Sequence, residues 1–260
     1  MHKLKICLLF GGVSPEHDVS LQTATSILKN IDREQFDVLP VGITSSGKWF
    51  LYEGPVNDIE DNSWENYPYL KPAFISPVAN EGLLVFEAEC IKKERIDCVF
   101  PALHGKDGED GSIQGLCQLA NLPCVGSLLT ASAVSMDKSM TKAVVNGLGI
   151  RQADFILVLE SEFSRHPEKI VKRVVDHFDF PVFVKPAGTG SSVGISKVKS
   201  EGELESAIML AFEYDSRVLI EEFFNGREIE VAVLGNDDPL VSVCGEIVPG
   251  DEFYTYDDKY

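Results

Sequence analysis

The sequence predicts an α/β first part followed by an α+β second part, and three observations lead to that prediction. Up to about residue 125, apolar strand-like runs alternate with segments of helical period, which indicates a parallel sheet. After a run of small residues at 127–135, several strand-like runs follow one another without intervening helices, which favours antiparallel pairing. A chain of 260 residues is long enough for two such compact parts.

In the first part, apolar runs predict buried strands at 6–10, 38–43 and 98–103, with 47–52 as a hairpin partner of the second. Apolar positions at helical spacing predict helices at 21–30 and 113–120. Residues 54–80 carry Pro, Asn, Asp and Trp without a period and are predicted to be a loop or insertion. Because ligands bind at the carboxyl ends of parallel strands, the polar segments after Phe10 and after Leu103 are candidate site loops.

In the second part, the same reasoning predicts helices at 137–146, from Pro167, and at 200–212, the last with a capping box formed by Ser200 and Glu203. Strands are predicted at 153–159, 180–184, 193–198, 217–222, 228–234 and 240–248.

Composition excludes some classes of function. The apolar fraction of 44% and the charged fraction of 25% are ordinary for a soluble protein. A net charge of -18 argues against a general nucleic-acid or anionic-membrane surface, so any phosphate site must be a local basic pocket. The apolar run after Lys5 is too short for a signal peptide, and no stretch is long enough to span a membrane.

Cysteine usage indicates a redox compartment. The six cysteines are scattered at 7, 90, 98, 117, 124 and 244 without a C-x-x-C pair, and most of them lie in apolar runs. Buried free thiols in a reducing cytoplasm are therefore expected.

The most informative motif is the loop KPAGTGSSVGI at 185–195, between two predicted strands. Glycines let the backbone expose N–H groups, serine hydroxyls add donors, and a lysine beside them suggests a polyphosphate site. A strand follows the loop, and neither Gly47-Lys48 nor Gly105-Lys106 is followed by Ser or Thr, which disfavours a Walker A site and a Rossmann turn. An ordinary hairpin turn remains the alternative.

Two loops of the first part carry clustered polar residues. In GGVSPEHDVS at 11–20, Glu16 and Asp18 suit an ammonium ligand, although ordinary helix capping by Asp18 or Ser20 is favoured on chemistry alone. The loop HGKDGEDG at 104–111 could bind a small ligand or a metal ion, but its spacing matches neither a zinc nor an EF-hand pattern, and a tight turn is an equal alternative.

Three further segments are candidates. Lys138 in a first helical turn opposes the helix dipole unless an anion is near, although most such lysines are simply solvated. The segment EEFFNGRE at 221–228 offers acceptors and an aromatic pair for an adenosine group, with a charged surface hairpin as the alternative. The segment FYTYDDKY at 253–260 is typical of a lid or a pocket wall.

Taken together, these motifs resemble the D-alanine–D-alanine ligase family of the ATP-grasp superfamily. They occur in that family's order and span nearly the whole chain: GGVSPEHDVSL, HGKDGEDGSIQG, SAVSMDK, VKPAGTGSSVGISKV, LIEEFFNGREIEVAVLG, CGEI and FYTYDDKY. The resemblance implies a Rossmann-like (pre-ATP-grasp) N-terminal domain at 1–127 and an ATP-grasp fold. The latter comprises a central domain at 128–224 and the start of an incomplete C-terminal domain at 225–260.

The resemblance also implies roles for individual residues. Glu16 binds the ammonium of the first D-alanine with His104 close by, and Ser191 and Tyr260, hydrogen-bonded with Glu16, orient the substrates; Glu16, Ser191 and Tyr260 are thus the expected catalytic residues. The expected ATP contacts are Lys138, Lys185 and Lys259 on the phosphates, Glu221, Glu222, Phe223 and Phe224 on the adenine, Glu228 on the ribose, and Ser191, Ser192 and Phe253 elsewhere around the nucleotide.

The implied reaction joins two D-alanines through an acyl phosphate for peptidoglycan precursor synthesis, with ATP and Mg²⁺ or Mn²⁺, in a cytoplasmic homodimer. Family members that form the D-lactate depsipeptide tend to have histidine where this chain has Tyr260, which favours D-alanine as second substrate. The family continues past residue 260 with its metal ligands and an arginine, so the 260-residue chain is expected to be inactive. The alternatives are a non-catalytic nucleotide- or amino-acid-binding fragment and a D-alanine–D-serine ligase.

Overall fold

The computed structural model of the chain describes residues 3–248, which divide into two compact units between Val144 and Val145. We call the part before this division the first unit and the part after it the second unit. The division falls inside one helix, α5 (Lys138–Gly147). The expected three-part division at 127 and 224 stays a prediction.

The first unit combines seven strands with four helices before α5 and one 3₁₀ turn at Ser63–Asn66. The strands are β1 (Leu4–Gly11), β2 (Phe36–Ile43), β3 (Trp49–Leu51), β4 (Lys71–Ile75), β5 (Leu83–Phe86), β6 (Ile91–Glu94) and β7 (Cys98–Pro101). The helices are α1 (His17–Asn30), α2 (Asn57–Glu60), α3 (Ser112–Leu119) and α4 (Leu129–Met136).

These strands form one sheet in the order β6-β5-β4-β3-β2-β1-β7. Strand β1 is parallel to both β2 and β7, and the remaining pairs are antiparallel. Parallel pairing thus joins the three strands on which the prediction depended. It also brings the carboxyl ends of β1, β2 and β7 to one edge of the sheet. From β1 the sheet continues to β2 on one side and to β7 on the other, and a ligand crevice is expected at such a reversal of strand order.

Strand β1 is an uninterrupted apolar run because both of its faces are covered. Its side chains alternate, so that Leu8 and Phe10 pack with α1 on one face while Cys7 and Leu9 pack with α3 on the other. The first face also buries Trp64, whose ring centroid lies 4.9 Å from that of Phe10. The rigid core therefore extends to the residues that immediately precede the Gly11-Gly12 turn.

The segment 54–80, predicted to be a loop or insertion, is not a plain loop, because it contains α2, the 3₁₀ turn and strand β4. Strands β5 and β6, which extend the sheet as an antiparallel meander, were not predicted. The small-residue segment at 127–135 contains helix α4. These short elements lack a clear hydrophobic period, and pairing with neighbours in the sheet stabilises the strands instead.

The second unit follows the antiparallel prediction. Its strands are β8 (Phe155–Leu159), β9 (Val182–Pro186), β10 (Ser196–Val198), β11 (Arg217–Glu222), β12 (Glu228–Glu230), β13 (Val233–Leu234), β14 (Leu240–Val241) and β15 (Gly245–Ile247). Its helices are α6 (Glu160–Phe163), α7 (Pro167–Val175) and α8 (Glu201–Phe212).

The first four strands form an antiparallel sheet in the order β10-β9-β11-β8, and β12 pairs with β15 and β13 with β14. Val182 and Val184 of β9 and Val218 and Ile220 of β11 pack against the apolar sides of α7 and α8. The alternating side chains of the same strands therefore point to the opposite face of the sheet. That opposite face carries Lys185 and Glu221.

Local details of the second unit differ from the prediction. The Glu203 carboxylate accepts hydrogen bonds from the backbone N–H of Lys199 (3.0 Å) and the hydroxyl of Ser200 (2.9 Å), and Ser200 makes no side-chain cap. Neither bond of the predicted capping box is therefore formed. The predicted strands at 228–234 and 240–248 are each broken into two short strands.

The cysteines are less buried than predicted. Cys7 and Cys117 are buried, Cys98 and Cys124 are half-buried, and Cys90 and Cys244 are exposed. Burial raises the pKa of the Cys7 thiol to about 12, so that group stays protonated. Within residues 3–248, no helix is both long and apolar enough to cross a membrane.

Candidate functional site

The turn that follows β1 requires glycine. Gly11 and Gly12 have φ values of 84° and 103°, in the left-handed region, and a Cβ on Gly11 would lie 2.2 Å from the carbonyl oxygen of Ile43. The N–H of Gly12 donates to that same oxygen at 2.8 Å. The chain therefore leaves β1 while still attached to the end of β2, and it enters α1 at a defined position.

Glu16 is buried at the start of α1. Only 5% of the residue is exposed, and its N–H donates to the hydroxyl of Ser14 at 3.1 Å. Helix α1 has no side-chain cap, so the favoured interpretation, capping by Asp18 or Ser20, is wrong. The carboxylate instead lies against the loop after β7, because a Cβ on Gly105 would be 2.2 Å from Glu16 Oε2. A carboxylate held there suits an ammonium ligand.

Two further residues of α1 contact the same loop. Ser20 is fully buried; its hydroxyl accepts the N–H of Gly11 at 2.8 Å and donates to the carbonyl of Ala102 at 2.5 Å. Thr23 Oγ1 lies 2.9 Å from His104 Nε2, within hydrogen-bond distance. The structure thus places Glu16 against Gly105 and Thr23 against His104, two neighbouring positions of one loop, and the contacts of Ser20 and Thr23 were not predicted.

The rest of this loop is a tight turn, which was the alternative to a site for a small ligand or a metal ion. Glu109 accepts the N–H of Gly105 at 2.9 Å, and Asp110 accepts those of Asp107 and Ser112 at 2.9 Å each. Partial burial raises the pKa of Asp110, but these hydrogen bonds outweigh that effect and hold it below its usual value. The acidic residues of the loop therefore serve to hold its backbone.

Lys138 begins α5, as predicted, but the structure supplies a local reason why a cation is tolerated there. The Asp137 carboxylate caps the helix by accepting the N–H groups of Ser139 (2.9 Å) and Met140 (3.1 Å). This carboxylate compensates the positive end of the helix dipole. The position of Lys138 is therefore not by itself a sign of a bound phosphate.

In the second unit, Lys185 and Glu221 form an ion pair on the sheet face opposite α7 and α8. The pair joins β9 to β11, between Lys185 Nζ and Glu221 Oε2. The Lys185 side chain is 24% exposed and that of Glu221 is 9% exposed. Lys185 Nζ also lies 5.2 Å from the ring centroid of Phe183. A cation is thus held at a defined position beside an aromatic ring.

An aromatic cavity of about 410 Å³ adjoins this face. Its walls come from β9, the turn after β11, the start of β12 and the end of β15: Phe183, Phe223, Phe224, Asn225, Gly226, Arg227, Glu228, Glu246, Ile247 and Val248. Lys197 Nζ lies 4.4 Å from the ring centroid of Phe223. The Phe183 and Phe223 ring centroids are 6.1 Å apart and the rings are tilted by 41°, so they form one aromatic wall against which a planar heterocycle can pack. The carboxylate of Glu228 adds acceptors for hydroxyl groups.

The loop between β9 and β10 has an unusual backbone. Ser191, Ser192 and Gly194 have φ values of 45°, 60° and 71°, and a Cβ on Gly194 would lie 2.6 Å from the Tyr214 ring. Its first two N–H groups are already bonded: that of Ala187 donates to the carbonyl of Arg217 at 2.9 Å, and that of Gly188 donates to the Asp215 carboxylate at 2.7 Å. The loop leads into a strand, as predicted, and its anion-binding capacity therefore lies beyond Gly188.

The remaining predicted site residues have different outcomes. The Glu222 carboxylate accepts the N–H of Asp154 at 2.8 Å, which ties the end of β11 to the residue before β8. Phe253, Lys259 and Tyr260 lie outside the described residues. Among residues 3–248, no group of three or more His, Cys, Asp or Glu side chains is placed to hold a metal ion. Lys197 and Asp215 were missed, because only the fold brings Lys197 to the Phe223 ring and Asp215 to the N–H of Gly188.

Two family models match the chain. The model described as the D-ala D-ala ligase N-terminus matches residues 5–127, and the one described as the D-ala D-ala ligase C-terminus matches residues 144–260. The D-alanine–D-alanine ligase of Acetivibrio thermocellus is 47% identical, and the match covers 99% of this chain and 72% of the relative. D-alanine–D-alanine ligase B of Clostridium tetani is 46% identical, over 100% of this chain and 69% of the relative.

Solved structures agree with these matches. The VanG D-Ala:D-Ser ligase from Enterococcus faecalis superposes with a TM-score of 0.88 at 38% identity, covering 100% of this chain and 74% of that protein. The D-alanine–D-alanine ligase from Coxiella burnetii superposes with a TM-score of 0.83 at 34% identity, covering 95% of this chain and 71% of that protein.

Proposed function

Because this chain belongs to the D-alanine–D-alanine ligase family, we propose that it takes part in the ATP-dependent joining of two D-alanine molecules for peptidoglycan precursor synthesis. The observation that carries the proposal is the face of the second unit where Lys185 and Glu221 lie beside the aromatic cavity of about 410 Å³. A cation next to an aromatic wall matches a nucleotide, with its phosphates at the lysine and its base against the rings.

In the proposed reaction, the carboxylate of the first D-alanine attacks the γ-phosphate of ATP, which gives an acyl phosphate and ADP. The amine of the second D-alanine then attacks the acyl carbon, and phosphate leaves. Little covalent chemistry falls to the protein, so its contribution is to position the reactants and to stabilise the charge that develops.

The roles of individual residues follow the chemistry of the two sites. In the first unit, the buried Glu16 carboxylate binds the ammonium of the first D-alanine, and His104 lies beside that substrate. We assign Ser191 and Tyr260 to substrate orientation together with Glu16. The assignment of Glu16 is supported by its buried carboxylate, because an ammonium group needs an acceptor of this kind.

On the nucleotide side, we assign the phosphates to Lys138, Lys185 and Lys259, and the ribose to Glu228. Before ATP binds, Glu221 neutralises Lys185, so the incoming phosphate replaces a carboxylate as the partner of this lysine. The other proposed nucleotide contacts are Ser191, Ser192, Glu221, Glu222, Phe223, Phe224 and Phe253.

Magnesium or manganese is proposed as the counter-ion of ATP, whose charge it would neutralise. The described residues offer no cluster of three or more carboxylate, imidazole or thiol groups for it, so the roles proposed for them do not include metal coordination. We also propose that the protein acts in the cytoplasm, where ATP is available and where its free thiols stay reduced.

A homodimer is proposed from the surface of the first unit. A groove of about 550 Å³ next to α3 and the start of α4 is lined by residues 114–129, and Leu119 and Leu128 near it are 67% and 74% exposed. Exposed apolar patches of this kind mark association surfaces. Sedimentation equilibrium should give twice the monomer mass, and Leu128→Asp should shift it toward the monomer.

The chain covers 72% of the Acetivibrio thermocellus ligase and 69% of the Clostridium tetani ligase, so every activity assay uses the chain completed at its C-terminus with the corresponding segment of the Acetivibrio thermocellus ligase. The direct test of the function is release of ADP by this protein with ATP and D-alanine, with L-alanine as the negative control. We expect Lys185→Met to lower the D-alanine-dependent rate roughly a hundred-fold, as loss of a charge-stabilising group does. Lys172→Met, on the exposed side of α7, is the matched control and should leave the rate unchanged. Absence of D-alanine-dependent ADP release would refute the proposal for this chain.

The likeness to a D-Ala:D-Ser ligase makes the second substrate a separate question. We propose D-alanine because the relatives in Acetivibrio and Clostridium are D-alanine–D-alanine ligases at 46–47% identity. Competition between D-alanine and D-serine for the second position, read by mass spectrometry of the dipeptide, decides between them. A product dominated by D-alanyl-D-serine would contradict the proposed specificity.

A further inference from the structure

One face of α1 carries three polar residues that contact the loop after β7. Glu16, Ser20 and Thr23 are spaced by four and three positions, so they lie along one side of the helix. We call these three residues the polar stripe. The rest of this side of α1 packs into the core through Leu21, Ala24 and Leu28.

Each member of the polar stripe contacts a different part of the loop. Ser20 holds the backbone, because its hydroxyl donates to the carbonyl of Ala102 at 2.5 Å. Glu16 lies against Gly105, where a side chain would collide with its carboxylate. Thr23 reaches the His104 imidazole, with 2.9 Å between Oγ1 and Nε2. The helix therefore aligns the backbone and the imidazole of the loop with Glu16.

We propose that Thr23 is the positioning residue for His104, and that it orients the imidazole toward the first D-alanine next to Glu16. The inference rests on the proposed function for the identity of the substrate, whereas the contact between Thr23 and His104 does not depend on that function. Within residues 3–248, the hydrogen bond with Thr23 is the one that holds the His104 imidazole. Without it, the half-buried ring is free to rotate about its χ angles and to change tautomer.

The test compares Thr23→Val, which keeps the branched shape but removes the hydroxyl, with Thr23→Ser, which keeps the hydroxyl. We expect Thr23→Val to raise the KM for the first D-alanine roughly five-fold, the worth of one typical hydrogen bond, while the KM for ATP is unchanged. Thr23→Ser should stay close to the wild type. An equal loss in both variants, or a parallel rise in the KM for ATP, would overturn the proposal.

A double-mutant cycle with His104→Gln separates positioning from general stability. If Thr23 acts through His104, Thr23→Val should have no further effect once His104 is replaced. Multiplication of the two effects would mean that Thr23 acts by another route, and the proposal would be wrong. Matched thermal unfolding midpoints of the four proteins control for misfolding.

A readout without substrate keeps this inference distinct from the proposed function. In ¹⁵N spectra of the imidazoles, the signals assigned through His104→Gln should move in Thr23→Val and stay in place in Thr23→Ser. If the wild type releases no D-alanine-dependent ADP, the proposed function fails, and these spectra still decide the role of Thr23. Unchanged His104 signals in Thr23→Val would refute it.

Discussion

The ion pair between Lys185 and Glu221 allows a quantitative prediction. Its side chains are 24% and 9% exposed, so the pair lies between a solvated surface pair, worth at most about 1 kcal/mol, and a buried one, whose disruption costs about 3–5 kcal/mol. Glu221→Gln removes the negative charge but keeps the shape, and it leaves a partly desolvated lysine without its counter-charge. We therefore expect a loss of about 2 kcal/mol in the free energy of unfolding.

The same chain supplies a matched control pair. Lys172 and Asp176 are four residues apart on α7, with Nζ 2.9 Å from Oδ2, but their side chains are 75% and 60% exposed. Asp176→Asn removes the same kind of charge in solvent, where screening leaves little interaction. We expect it to cost less than about 0.5 kcal/mol.

Urea unfolding at pH 7, with unchanged slopes, measures both losses. A double-mutant cycle with Lys185→Met then isolates the coupling between the two groups, since the loss from Glu221→Gln should largely vanish when the lysine is absent. Equal losses in Glu221→Gln and Asp176→Asn would refute the reasoning, because burial would then not determine the strength of this pair.

Three further predictions concern the backbone, the pH dependence and the nucleotide. Gly11→Ala should lower the free energy of unfolding in urea by more than about 2 kcal/mol, because its Cβ would lie 2.2 Å from the Ile43 oxygen at a positive φ. Gly202→Ala, in a helix and with no atom within 4 Å of the added Cβ, should stabilise the protein by about 0.5–1 kcal/mol. A loss of stability in Gly202→Ala, or none in Gly11→Ala, would contradict this reasoning. Although burial raises it, hydrogen bonds hold the pKa of Asp110 below its usual value, so its contribution to stability is complete at neutral pH and is lost as the pH falls through the lowered pKa. Asp110→Asn should be about 1 kcal/mol less stable than the wild type at pH 7, and a difference that failed to narrow toward pH 3 would count against this reasoning. Phe223→Ala should weaken ATP binding in calorimetry roughly ten-fold without changing D-alanine binding, and equal ATP affinity would remove the nucleotide from this cavity.

Much of the fold could be predicted because its strongest elements are locally encoded. The apolar run of β1 and the amphipathic helices α1, α3 and α7 carry clear periods, and the structure places them where these periods indicate. Strands β4, β5 and β6 could not be predicted, since they are short and depend on neighbours in the sheet. Capping of α1 was wrongly predicted because the Ser20 hydroxyl hydrogen-bonds to the backbone of Gly11 and Ala102 instead. Ala102 is distant in sequence, so this contact could not be foreseen.

The sequence by itself determined the order of the motifs, the two glycine-dependent turns and the residue types available for an amino-acid and a nucleotide site. Only the tertiary structure decided which of them meet. Glu16 and His104 come together because β1 and β7 are parallel neighbours, and Lys185 meets Glu221 because β9 and β11 pair antiparallel. The physical reason is that periodicity and turn chemistry act over a few residues, whereas pairing between distant strands is determined by burial of the whole core.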